Sequence, residues 1–311
     1  MRPTRPLGAS VTAAAVMLVG SAAGCAAPGP GPTPHAPLPT SAAPTAAGPD
    51  GRILPIARYL ISPDEDRRIQ AARAALIASC VKRFGLDYSP AKTSEKPDPM
   101  ARRYDLTDAR SAAARGYHRE GDPVAGGTGP SPRELPPDVQ AVLGNGRAAP
   151  GGPSAAPRPS TTAVNGTAVP EGGCFGEADD ALTAGGGVIQ DQPLADEING
   201  RDYEKSLADS RVRDVFRRWS ECMGKKGHPY GTPIDAVSDE RWRTASPSEV
   251  EIATATADVD CKQQTDLVGV WFTVESEYQS ADVRSNSAAL QRIRKAIDVA
   301  LANADKVAAA K

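Results

Sequence analysis

Apolar positions recur at three- and four-residue spacing over several long stretches and never alternate convincingly, so the pattern predicts helices rather than strands. The first helix starts at Ser62-Pro63-Asp64-Glu65. Ser is a good N-cap, Pro suits the first helical position, and the acids suit the positive end of the dipole. Ile69, Ala72, Leu76, Cys80 and Phe84 form its buried stripe, and Gly85 is its stop. A shorter helix is expected from Thr107 to Gly116. A second long helix is expected over roughly residues 200–226, with Tyr203, Leu207, Val212, Phe216, Trp219 and Met223 near one face and Gly227 as its end. A third begins at Ser246-Pro247-Ser248-Glu249, which has the S-x-x-E form of a capping box. Val250, Ala253, Ala257, Cys261, Val268, Trp271 and Tyr278 mark its expected inner face. Beyond residue 248 there is no Pro and one Gly, so the C-terminus should stay helical, with Leu290, Ile293, Ile297 and Leu301 as the last stripe.

Composition changes the picture by showing where no core can form. Residues 26–49 hold eight prolines in 24 positions and no aromatic, and read as an extended spacer that could reach roughly 75 Å. Residues 121–173 hold ten Pro and eleven Gly, again without an aromatic, and read as a long disordered insertion apart from a helical turn around Pro137–Gly144. All 14 aromatics lie within 59–117 or 175–278, which locates the folded part. The expected fold is mainly α, a disulfide-stapled helical bundle over 53–311 with a disordered N-terminal tether and that insertion. With Lys+Arg 36 against Asp+Glu 38, no basic field exists to attract nucleic acid.

The N-terminus carries an address. Arg2 and Arg5 precede an apolar run, Val11 to Val19, followed by small residues and Cys25, which is the layout of an export signal over 1–24. Ala22-Ala23-Gly24-Cys25 resembles a bacterial lipobox, with Ala22 where Leu is usual. That resemblance implies a diacylglycerol on the Cys25 thiol, cleavage just before it, and an N-acyl chain such as palmitate. The tether would then run over 25–52. Two or more acyl chains hold a protein on a membrane stably, whereas one does so only reversibly.

Four further cysteines remain: Cys80, Cys174, Cys222 and Cys261. An even number in an exported chain reads as two disulfides, and no C-x-x-C spacing supports a redox or zinc site. Four cysteines allow three connectivities. One internal echo favours sequential pairing: Cys80-Val-Lys-Arg-Phe-Gly85-Leu-Asp-Tyr88 and Cys222-Met-Gly-Lys-Lys-Gly227-His-Pro-Tyr230 share C-x4-G-x2-Y, and a lone cysteine follows each. This favours Cys80–Cys174 and Cys222–Cys261.

Cys222-Met223…Gly227 and Ala255-Thr-Ala-Asp258-Val-Asp-Cys261 resemble motifs of exported, Streptomyces-like actinobacterial lipoproteins with Ala/Gly/Pro-rich tethers. The first copy departs from the pattern, with Val81 in place of Met. The resemblance spans roughly 55–120 and 170–283, and implies envelope location and bridges but no chemistry.

Candidate chemistry is sparse. His35 lies in the tether, His118 at the edge of the insertion, and His228 just after Gly227. Lys225-Lys226-His228 reads as dipole compensation at a helix end. Acid pairs occur at Asp64-Glu65-Asp66, Asp179-Asp180, Asp258/Asp260 and Glu275/Glu277, and solvated helix faces account for all of them. Gly185-Gly186-Gly187 reads as a turn, and Trp271-Phe272 as core. No cofactor, metal site or catalytic residue is assigned. The expected function is a non-catalytic binding or accessory role at the cell membrane, directed at an envelope protein or cell-wall component. The alternative is a cell-wall hydrolase using a carboxylate pair, with Asp258 and Glu275 the first residues to test.

Overall fold

The structure is a computed structural model that describes residues 51–90, 98, 100–119, 135–144 and 163–310. Cys25, His35, the signal segment and nearly all of the tether lie outside the described residues, as does most of the 121–173 insertion. Within those limits the protein is mainly helical, with a single two-stranded hairpin among the described residues.

Helix α1 (Pro63–Lys82) forms as its sequence dictates. The Ser62 hydroxyl accepts from the Glu65 amide at 3.3 Å and the Glu65 carboxylate accepts from the Ser62 amide at 2.9 Å, a complete capping box. Ile69, Ala72, Cys80 and Phe84 are buried along one stripe. Helix α2 (Ala109–Arg115) is capped by Asp108 and stopped at Gly116. Helix α3 (Pro137–Leu143) is the helical turn expected inside the insertion, with Pro at its start and Gly144, at φ +68°, at its end.

A hairpin that the sequence reading did not anticipate follows. Strands β1 (Ala163–Val164) and β2 (Thr167–Ala168) pair antiparallel across Asn165-Gly166, both at positive φ, which is the geometry of a two-residue I′ turn. Asn165 Nδ2 also donates to the Phe84 carbonyl at 2.8 Å. The last part of the expected insertion, residues 163–173, is therefore ordered. The reason is tertiary: Val139, Val142, Leu143 and Val169 pack around Cys80 and Cys174 in one apolar cluster. Helix α4 (Gly173–Thr183) completes that cluster.

The expected helix over 200–226 is two helices, α5 (Pro193–Ala208) and α6 (Ser210–Lys225). Asp209 divides them. It adopts an extended conformation and its carboxylate accepts from the Arg211 amide at 2.9 Å, so it serves as the N-cap of α6. Helix α5 begins earlier than expected because Pro193 sits at its first turn. A short helix α7 (Pro233–Val237) precedes α8 (Glu249–Thr265), whose N-cap is Ser248 rather than Ser246. The expected helical run from residue 248 to the end is also divided, into α8, α9 (Leu267–Ser285) and α10 (Ser287–Ala309). The first division falls at Asp266, in a left-handed conformation at φ +52°. Its carboxylate folds back over Gly269, where an added Cβ would have to displace it.

Helices α1, α4 and α10 pack on one another through Ile69, Leu182, Ile297 and Leu301. Helices α2, α5, α6, α8 and α9 enclose the largest core. Its centre is Trp271, whose ring lies 5.1 Å from Tyr104, 5.4 Å from Tyr203 and 5.0 Å from Phe216. The indole NH of Trp271 donates to Ser206 Oγ at 2.8 Å, so its one polar atom is satisfied.

Cys80 is bonded to Cys174 and Cys222 to Cys261, with Cα–Cα distances of 5.6 and 5.7 Å. This is the sequential pairing that the C-x4-G-x2-Y echo favours. Cys80, Cys174 and Cys261 are buried within their clusters. The bonds close spans of 94 and 39 positions. In the chain-entropy model each such closure removes about 4–5 kcal/mol of disorder from the unfolded state. Replacing Cys80 and Cys174 together by Ala should lower thermal stability by an amount of that order, and replacing Cys222 and Cys261 should cost slightly less. Calorimetry of the two variants and of the wild type, with and without reductant, checks both.

Candidate functional site

The chemistry-bearing residues converge where the 100–119 segment lies on helices α8 and α9. Three carboxylates face it, Glu251, Asp258 and Glu275, each with a side chain that exposes nothing to solvent. A buried carboxylate is tolerated only with charge partners and donors, and each of these has them.

Glu251 Oε1 accepts from the Tyr117 amide at 2.8 Å and lies 2.9 Å from His118 Nδ1. Asp258 accepts from Trp219 Nε1 at 2.9 Å and from Lys262 Nζ at 3.1 Å. Lys262 is itself buried and also donates to the Leu106 carbonyl at 2.9 Å. Burial pushes the Asp258 carboxyl up, against the pull of Lys262. Glu275 accepts from Arg103 Nε and Tyr104 Oη, both at 2.9 Å, and from Gln279 Nε2 at 3.0 Å. The Arg103 guanidinium also lies 4.5 Å from the centre of the Tyr203 ring. Burial, with Glu275 alongside, lifts the Tyr104 hydroxyl far above a free phenol.

These contacts hold the walls of a cleft of about 590 Å³. Asp98, Arg102, Asp105, Ser111, Arg115 and Arg119 line it. Arg102 donates to the carbonyls of Tyr117 at 3.0 Å and His118 at 3.2 Å, tying one wall to the other. Arg115 Nη2 donates to Ser111 Oγ at 3.0 Å, while its Nε is buried without a hydrogen-bond partner. Asp105 is held at φ +62°, and its Oδ2 is likewise buried and unpartnered. A non-glycine residue in that conformation is uncommon and costs energy. Burial pushes the Asp105 carboxyl up, and Lys262, Arg102 and Arg119 oppose it.

The sequence-level candidates fare unevenly. The Asp258/Asp260 pair is split: Asp258 points inward, whereas Asp260 is surface-facing and accepts from Lys226 at 2.5 Å, which holds its carboxyl below the usual range. Glu275 and Glu277 are split the same way, with Glu277 bound to Arg211 at 2.8 Å on the surface. Residues two apart on a helix do not face each other, so neither pair converges. Glu65 is buried against Arg294 at 3.0 Å, and Asp179 binds Arg73 at 2.6 Å. Glu65, Asp258 and Glu275 are thus inter-element anchors, not the solvated groups expected. His228 Nδ1 lies 3.0 Å from Thr254 Oγ1, so the Lys225-Lys226-His228 cluster is divided between two contacts to α8. Gly185-Gly186-Gly187 is a turn, with Gly185 and Gly186 at positive φ, and Trp271 is core. Among the described residues no group of three or more potential ligands could hold a metal ion, and no helix is long and apolar enough to cross a membrane.

Asp105, Arg103, Arg115, Glu251 and Lys262 were not singled out from sequence. The α8 stripe is the informative case. Val250 and Ala253, assigned inward, are exposed, while Glu251, Thr254, Asp258 and Lys262 face the core. Asp258 and Lys262 are four apart, and that spacing was the available signal. Comparison with protein-family models, curated proteins and solved structures returned no match.

Two predictions follow from these ion pairs. Lys262→Met strands a buried carboxylate and should cost about 3–5 kcal/mol, whereas Lys262→Met with Asp258→Leu should recover most of that loss. Denaturant unfolding of both variants checks this. The second concerns pH. Hydrogen bonds from Arg211 hold Asp209 down at about 2. At Asp282 burial acts upward, but bonds with Lys205, Asp202 and Arg201 outweigh it and hold the carboxyl low. The stability from both acids is present above about pH 3.9 and lost as pH falls toward 2. Asp105, Asp202 and Asp258 are raised by burial and work in the opposite sense, stabilising less as pH rises above 3.9. Stability should therefore peak in mildly acidic solution above pH 4. A rise continuing without a maximum from pH 4 to 8 would contradict it.

Proposed function

We propose that this protein is a cell-envelope lipoprotein, anchored by acyl chains on Cys25, whose helical unit binds a ligand in the 98–119 cleft without acting chemically on it. The observation that carries the reading is the cleft itself. Its volume of about 590 Å³ lies in the range of small-molecule sites. Buried ion pairs anchor the segment that walls it, which limits the ordering that binding requires.

The bridges support the location, because disulfides persist in oxidising compartments. A Pro-rich tether fits a domain held away from a membrane surface. Arginines on the α2 side and Asp105 opposite favour a polar ligand carrying charges of both signs, a chemistry that cell-wall peptide fragments possess. The hydrolase alternative has less behind it. A glycosidase needs two carboxylates flanking one bond. Asp258 and Glu275 are each buried and bound to a cation of the protein.

Intact mass of the membrane-extracted protein tests the anchor: mass added at Cys25 is expected, with four cysteines unreactive to alkylation before reduction. Titration of the extracted protein with soluble peptidoglycan fragments tests the cleft. Saturable shifts of the Ser111, Arg115 and Arg119 resonances are expected, without fragment cleavage. Fragment turnover abolished by Asp258→Ala or Glu275→Ala would reverse the reading.

A further inference from the structure

The geometry points to a proton-operated latch on the cleft, made by His118 and Glu251. It rests on the reading of the cleft as a binding site and concerns how that site is held closed. His118 follows the α2 wall of the cleft, between the lining residues Arg115 and Arg119. Its Nε2 lies 2.9 Å from the Thr244 carbonyl oxygen, which can only accept, so Nε2 must carry a hydrogen. Its Nδ1 lies 2.9 Å from Glu251 Oε1, and that same oxygen accepts the Tyr117 amide hydrogen. The second bond forms only if one more proton sits between ring and carboxylate. A neutral imidazole with an ionised carboxylate would place two lone pairs against each other.

The surroundings favour keeping that proton. Glu251 is fully buried, and its Oε2 has no hydrogen-bond partner, so its charge depends on the imidazolium for compensation. Charged and polar groups of several described elements surround the latch. Arg102 faces it from the 100–106 segment but is engaged with the Tyr117 and His118 carbonyls. Arg115 and Arg119 flank it on its own segment. From the segment carrying Thr244, Arg241 binds Asp239 and Arg243 lies near Glu240. On α8 the next turn carries Thr254, which meets His228.

Folding therefore takes up a proton that the unfolded chain holds only below about pH 6.5. The latch is fully closed below that pH and is lost as pH rises through its own, higher midpoint. Once the proton leaves, the His118 ring loses its bond to Glu251 on α8 while the Tyr117 amide keeps its own, so the chain is released from His118 onward, and Arg102, bonded to the His118 carbonyl, moves with it. The cleft opens on the α2 side.

Long-range proton–nitrogen spectra of the full-length protein in detergent micelles, recorded from pH 5 to 9, test this. Both ring nitrogens of His118 should remain protonated above pH 6.5, with a midpoint at least one pH unit higher. The amide shifts of Ser111, Arg115 and Arg119 should move with the same midpoint. Glu251→Gln, which removes the compensating charge, should bring the His118 midpoint to about 6.5 or lower. A wild-type His118 that titrates at or below 6.5 overturns the latch, even if the variant fails to fold. A raised midpoint with the three cleft amides unmoved overturns its control of the cleft. Failure of peptidoglycan fragments to bind would sink the proposed function while leaving the His118 midpoint unchanged, so the two ideas fail separately.

Discussion

The arrangement of this protein depends on the cost of taking three carboxylates out of water. An isolated ionised carboxylate in an apolar interior is prohibitive, so Glu251, Asp258 and Glu275 oblige the chain to bring donors to them. The donors come mainly from one stretch, residues 103–118, whose own short helix buries just one residue, Ala112. That stretch is therefore positioned by polar contacts on the faces of α8 and α9, with Tyr104 and Tyr117 adding apolar area to the shared core. A surface cleft walled largely by that stretch is the result.

The two disulfides act at different places in the same unit. Cys80–Cys174 ties α1 to α4 beside α3 and the hairpin, where the local apolar cluster is small. Cys222–Cys261 ties the end of α6 to α8 at the edge of the large aromatic core. Neither bridge touches the cleft. Each holds together helices that bear on it indirectly: α8 supplies Glu251 and Asp258, and its orientation relative to α6 also determines where Trp219 meets Asp258. Rigidity at the bridges and polar anchoring at the cleft are thus complementary.

The pattern of charge distinguishes structural from candidate functional groups. Surface acids such as Asp260 and Glu277 sit with Lys226 and Arg211 in exposed pairs that contribute little. In the cleft, by contrast, Asp105 Oδ2 and Arg115 Nε are buried without partners, and Asp105 is held in a left-handed conformation. Unsatisfied polar atoms and backbone strain together are the usual signature of a place shaped for something other than stability.

Local signals determined the helical class, the α1 capping box, the stop at Gly85 and the stripes through Ile69, Trp219 and Ile297, because capping and 3.6-residue periodicity are properties of neighbouring residues. The repeat around Cys80 and Cys222 also pointed to the observed disulfide pairing. Local signals present but outweighed by longer periodicity were the Asp209 N-cap and the Asn165-Gly166 turn, which break or begin elements within segments that composition reads as uniform. The face of α8 was decided elsewhere. Charged residues along a helix normally face solvent, and the one local sign, the four-residue spacing of Asp258 and Lys262, fits an exposed pair equally well. Their partners Tyr117, Trp219 and Leu106 lie from 39 to 156 positions away. Burial of those charges is favourable only once the folded chain has assembled the partners, so the cleft and its latch belong to the tertiary structure alone.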